Sequence, residues 1–60
     1  MPKKRDLEKE LIEAGWTKVK RTKGPHDKFM KPGLRSISVP RHAEIDEITA
    51  QAIRKQAGLL

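Results

Sequence analysis

Lys23-Gly24-Pro25-His26-Asp27-Lys28-Phe29-Met30-Lys31-Pro32-Gly33-Leu34-Arg35-Ser36-Ile37-Ser38-Val39-Pro40 is the stretch that decides the fold. It holds two turn signatures with an alternating run after each. Lys23-Gly24-Pro25 is turn chemistry, and proline is tolerated at the start of a strand, where its missing N–H does no harm. A strand over about 26–31 follows, with Phe29 pointing opposite to His26, Lys28 and Met30. Lys31-Pro32-Gly33 reads as a tight turn with proline and glycine at its centre. A further strand runs from Leu34 to Val39, with Ile37 and Val39 on one face and Ser36 and Ser38 on the other; Pro40 ends it.

Upstream, Thr17 to Thr22 also alternates. Thr17, Val19 and Arg21 share one face; Lys18, Lys20 and Thr22 share the other. Before it, Leu7, Leu11, Ile12 and Ala14 form an apolar stripe at helical spacing. Glu8, Lys9, Glu10 and Glu13 take the wet side. Asp6 suits the cap or the first turn, and Gly15 suits the C-terminal cap, which places a helix at about 5–14. Trp16 and Phe29 are the two large aromatics and belong to the core.

Downstream, Asp46 is a good N-cap for a second helix, with Ile45 and Ala50 as a hydrophobic staple. Ile45, Ile48, Thr49, Ala52 and Ile53 supply the expected apolar stripe. Arg54 and Lys55 suit the last turn, and Gly58 closes it. The order is α-β-β-β-α, in one domain over residues 1–60. A three-stranded antiparallel sheet of this size cannot hide both faces. One packs both helices, and the other stays open and basic.

The charge is local. From Lys18 to Arg35 seven basic residues face one acid, Asp27, giving +6; elsewhere seven Lys/Arg balance seven Asp/Glu. Such a field concentrates polyanions, and Lys/Arg contacts to phosphate supply most non-specific nucleic-acid affinity. Lys18, Lys20, Lys23 and Lys28 are the leading phosphate contacts. Arg21 is a further one, on a strand face that can be the packed one. Two aromatics committed to the core disfavour base stacking and favour backbone and 2′-hydroxyl contacts.

His26 lies inside this field. One reading is a general acid/base on RNA: a neutral imidazole takes a proton from a ribose 2′-hydroxyl, whose oxygen attacks the adjacent phosphorus. Nearby cations offset the developing charge, and no metal or cofactor is required. The other reading is a turn residue or a plain phosphate contact. His42, after Val39-Pro40-Arg41, reads as a surface or capping residue, with a second phosphate contact as the alternative.

The chain has no cysteine, which removes disulfides and thiolate metal sites and fits a reducing cytoplasm. No apolar run approaches the roughly 20 residues of a membrane span. The basic start, Met1-Pro2-Lys3-Lys4-Arg5, is not followed by an apolar segment and is not read as a signal peptide. A core this small rarely supplies more than roughly 3–5 kcal/mol, so a partner is expected, either nucleic acid or an acidic protein.

Taken in order, these pieces resemble the HicA family of bacterial toxins, the mRNA interferases. A short amphipathic helix ends at Ala14-Gly15-Trp16. A basic strand leads to Lys23-Gly24-Pro25-His26, where the family typically has Gly-Ser-His. A strand ends near Val39-Pro40-Arg41-His42, and the run from Thr49 through Ile53-Arg54-Lys55-Gln56-Ala57-Gly58-Leu59 is close to the family's usual ending. The resemblance implies a fold like a double-stranded-RNA-binding domain, with His26 catalytic. It implies metal-independent cleavage of mRNA and a HicB-type antitoxin covering the active surface. The free toxin is expected to be monomeric and cytoplasmic. Pro25 departs from the usual serine and removes a hydroxyl and a backbone N–H, both phosphate donors. A non-catalytic RNA-binding domain of the same fold, and a module that holds an acidic protein on its basic face, are the alternatives.

Overall fold

The computed structural model describes residues 1–20 and 24–60. Arg21 and Thr22 of the first expected strand, and Lys23 of the turn after it, lie outside them, and among the described residues that strand ends at Lys18. The elements are α1 (Lys4–Glu13), β1 (Thr17–Lys18), β2 (His26–Met30), β3 (Ile37–Pro40) and α2 (Glu47–Gln56), in the order α-β-β-β-α. The sheet is antiparallel with β2 in the centre.

Alternation in β2 and β3 does what period two requires. Asp27 and Phe29 are buried while His26, Lys28 and Met30 are exposed; Ile37 and Val39 are buried while Ser38 is exposed. Directly paired residues share a face, so Phe29 opposite Ile37 and Asp27 opposite Val39 define the packed side. Leu7 and Leu11 of α1 and Ala50 and Ile53 of α2 join Phe29, Ile37, Val39, Trp16, Ile45 and Ala57 in one core.

The turn before β3 matches its sequence. Leu34 N–H donates to the Lys31 carbonyl at 3.1 Å, and Gly33 takes φ +80°, the value a type II turn needs after proline. β3 begins at Ile37 rather than Leu34 and includes Pro40. Arg41 N–H donates to the Pro25 carbonyl at 3.0 Å, so the bonded residues of β3 are the odd-numbered ones. Pro40 therefore lacks its N–H on the outer, unpaired edge, where nothing is lost.

α1 starts at Lys4, with Asp6 in its first turn and no side-chain cap; the Lys4 N–H donates to the Ala43 carbonyl at 2.9 Å instead. Its stripe is narrower than expected, because Leu7 and Leu11 are buried but Ile12 is exposed. At the other end Gly15 sits at φ +96°, and Lys31 Nζ donates to the Ala14 carbonyl at 2.8 Å. In α2, Asp46 caps as expected, accepting from Thr49 N–H at 2.6 Å, and Ile45 and Ala50 are both buried. The expected stripe is out of phase, however. Ile48 is 85 % exposed and Ala52 is exposed, whereas Ala50, Ile53 and Ala57 face the core. The reason is that Ile45 precedes the helix, so its burial does not set the helix phase. Packing of Ala50, Ile53 and Ala57 into the core sets it, with the Arg54–Glu10 ion pair at 3.0 Å joining the helices beside it.

Candidate nucleic-acid interface

The open face of the sheet is assembled by pairing. His26 stands opposite Pro40, Lys28 opposite Ser38, and Thr17 opposite Met30. His26 and Lys28 are two residues apart on the central strand, roughly 6.6 Å along it, and both project to solvent. An exposed imidazole and an exposed ammonium thus lie side by side on a surface that neither helix covers.

The one acid of the basic stretch is turned away from them. Asp27 is 7 % exposed and lies on the helix side. Its Oδ2 meets Lys4 Nζ at 2.8 Å and Lys18 Nζ at 3.6 Å, and its Oδ1 accepts from Arg41 Nε at 2.8 Å. The bond from Lys4 is the main reason its carboxyl drops to about 2; burial opposes the drop, and Arg41 and Lys18 add to it. Burial by itself pulls the Lys4 ammonium down, but its bonds to Asp27 and Glu8 outweigh this and leave it raised. The negative charge is therefore neutralised beneath the sheet and does not offset the field above it.

The cations of the stretch are divided by this arrangement. Lys28 is on the open face. Lys18 is not: it pairs with Phe29, so it shares the packed face, and its ammonium reaches Glu8 at 3.2 Å. The face expected to be open on the first strand is the packed one, and Thr17 stands on the open side. The alternation of Thr17-Lys18-Val19-Lys20 is the same in either phase, and only the pairing with β2 chooses. Lys20 is exposed just beyond β1. Lys31 is committed to the end of α1, and Arg35 is exposed in the segment before β3. His42 is exposed in the segment after β3.

Arg41 is the residue that sequence reasoning missed. Besides Asp27, its guanidinium donates through Nη1 to the Gly24 carbonyl at 2.8 Å. Lys4 was missed for the same reason: both find Asp27 only once the chain has folded. A depression of about 620 Å³ at the start of α1, lined by Lys3, Lys4, Arg5, Glu8, Ala43 and Glu44, does not include His26. An extended polyanion needs a surface rather than a cavity, so the open sheet face is the better candidate. Among the described residues, no group of three or more His, Cys, Asp or Glu could hold a metal ion.

The fold and the motifs have close counterparts. A family model described as the HicA toxin of bacterial toxin–antitoxin systems matches residues 5–59. A solved structure described as a toxin–antitoxin complex from Streptococcus pneumoniae is 40 % identical; the match covers 95 % of this chain and 97 % of that one, with a TM-score of 0.86. No curated protein matches at a significant level. With a match over nearly the whole chain and the same α-β-β-β-α fold, this chain belongs to the HicA family of bacterial toxin–antitoxin toxins.

Proposed function

We propose that the toxin is a metal-independent endoribonuclease that cleaves mRNA in the cytoplasm, with His26 as its acid/base. The observation that carries this reading is the exposure of His26 beside Lys28 on the open sheet face, with Asp27 turned to the other side. The imidazole takes the proton of a ribose 2′-hydroxyl. The 2′-oxygen bonds to the adjacent phosphorus, the bond from phosphorus to the 5′-oxygen breaks, water protonates the leaving oxygen, and the imidazolium returns its proton to the hydroxide so formed. A cyclic phosphate and a 5′-hydroxyl remain. Lys28, beside His26 on the open face, offsets charge on the phosphorane oxygens, and Lys20, exposed just beyond β1, is a further phosphate contact. Arg21 and Lys23, outside the described residues, are further phosphate contacts proposed from the sequence alone, and Lys18 contributes from the sheet margin. A HicB-type antitoxin silences the toxin by covering the His26 face.

The test is His26→Ala, assayed with labelled RNA in chelator and by induced expression with and without the antitoxin. Removing a general acid/base typically costs about 10²–10⁴ in rate. Growth arrest should disappear with cleavage. A variant that cuts and arrests like the parent removes His26 from the mechanism.

One observation favours a second reading, a non-catalytic RNA-binding domain. Pro25 offers no N–H beside His26, and its carbonyl is occupied by Arg41. In that case the parent in chelator forms a stable shifted complex and leaves the RNA intact.

A further inference from the structure

The residues on both sides of His26 are held by one residue at the neighbouring strand's end, through its backbone and its side chain. Arg41 donates from its backbone N–H to the Pro25 carbonyl at 3.0 Å. Its guanidinium donates through Nη1 to the Gly24 carbonyl and through Nε to Asp27 Oδ1, each at 2.8 Å. Positions 24, 25 and 27 are therefore tied to a single residue, and His26 lies between them.

The far side of this clamp is anchored too. Asp27 is gripped by Lys4 from α1 and approached by Lys18 from β1, and Glu8 bonds Lys4 at 2.7 Å. These are the charged groups that face the Asp27 carboxylate from the packed elements. A planar guanidinium presents its N–H groups in a fixed fork, so the two bonds hold a fixed relation to each other. A lysine ammonium on its flexible stem does not reproduce that fork. The restraint is needed because Gly24 sits at φ +95° with nothing within 4 Å of where a Cβ would stand. A glycine in open space has a permissive backbone, and the carbonyl bond from Arg41 limits it.

We infer that Arg41 is a positioning residue: by bracketing His26 it sets the direction in which the imidazole leaves the sheet. This rests on the ribonuclease reading above. Displacing a reacting group by about 1 Å can cost 10²-fold in rate, and a loose Gly24 turn permits such a displacement. Arg41 acts on the imidazole through the backbone and needs no contact with RNA.

The experiment compares the full chain with Arg41→Ala and Arg41→Lys. It measures kcat and KM on a labelled RNA oligomer, binding of an uncleavable 2′-deoxy analogue at several salt concentrations, and thermal unfolding. Arg41→Ala should lower kcat about 10–100-fold with KM changed less than about 2-fold. Arg41→Lys keeps a cation near Asp27 but loses the fork, so it should fold like the parent and fall between the two in kcat. The salt slope of binding should stay the same in all three.

Unchanged kcat in Arg41→Ala beside an active parent overturns the positioning role and leaves the ribonuclease reading intact. A raised KM with a salt slope lower by about one makes Arg41 a phosphate contact instead. A kcat loss in Arg41→Ala that merely follows its unfolded fraction, with full kcat in a folded Arg41→Lys, reduces Arg41 to structural support. A parent that cuts no RNA removes the ribonuclease reading first, and this inference with it.

Discussion

Lys4 Nζ lies 2.8 Å from Asp27 Oδ2, joining the first turn of α1 to the residue that follows His26. The pair sits beneath the sheet, with side chains 16 % and 10 % exposed, where water screens it less than a surface pair. Asp27 is thus the strut between helix and sheet, and its negative charge stays off the face that carries His26 and Lys28.

Asp27→Asn should destabilise the fold by roughly 1–2 kcal/mol at pH 7, a figure below the full linkage value because several partners reach solvent. The sign follows from the depressed carboxyl. Its contribution is fully present above the ordinary value of 3.8 and is lost as the pH falls through about 2. Urea unfolding of parent and variant at neutral pH and near pH 2 checks this. The two curves should converge in acid; a gap that persists there would assign the loss to packing instead.

Lys28 and Lys31 lie three residues apart and should behave differently. In a His26→Ala background that leaves RNA intact, Lys28→Ala should reduce the salt slope of RNA binding by about one and leave stability within about 0.5 kcal/mol. Lys31→Ala should leave the slope alone and cost about 1 kcal/mol, since its ammonium caps the Ala14 carbonyl. Equal slopes for both variants would remove Lys28 from the phosphate track.

Pro25→Ser restores a hydroxyl and an N–H just before His26 while keeping the carbonyl that Arg41 uses. One added hydrogen bond to a phosphate oxygen corresponds to about a 2–10-fold faster cleavage. Single-turnover rates measure it. A slower variant would mean that the rigid proline helps aim the turn.

The phase of α2 is also testable. Ile53→Ala removes a side chain that is 3 % exposed and should cost about 2–5 kcal/mol, enough to unfold most of so small a domain. Ile48→Ala, at a position 85 % exposed, should fall within about 0.5 kcal/mol of the parent. Circular dichroism melts of both variants decide it; comparable losses would mean that Ile48 is covered in solution.

Much of this protein was readable along the chain because local rules govern it. The Pro32-Gly33 turn, the Asp46 cap, the Gly15 stop and the opposition of Phe29 to His26 each depend on residues no more than a few positions apart. The candidate site was readable only in part. His26 and Lys28 fall on one face because they are two apart on one strand. Lys18 could not be placed that way, since its face depends on which residue of β2 it meets.

Alone, then, the sequence determined the element order, the Pro32-Gly33 turn, the local cationic field and the exposure of His26 on a strand whose other side is Asp27 and Phe29. Tertiary structure decided the rest. The register of Thr17–Met30 and Lys18–Phe29 turned one lysine from the open face to the packed one, because a strand's side chains change sides with every residue. Packing rotated α2 so that Ala50 and not Ile48 met the sheet. Asp27 could be buried as an anion only because Lys4, Lys18 and Arg41, distant in sequence, converge on it when the layers close. An unpaired charge could not have stayed there.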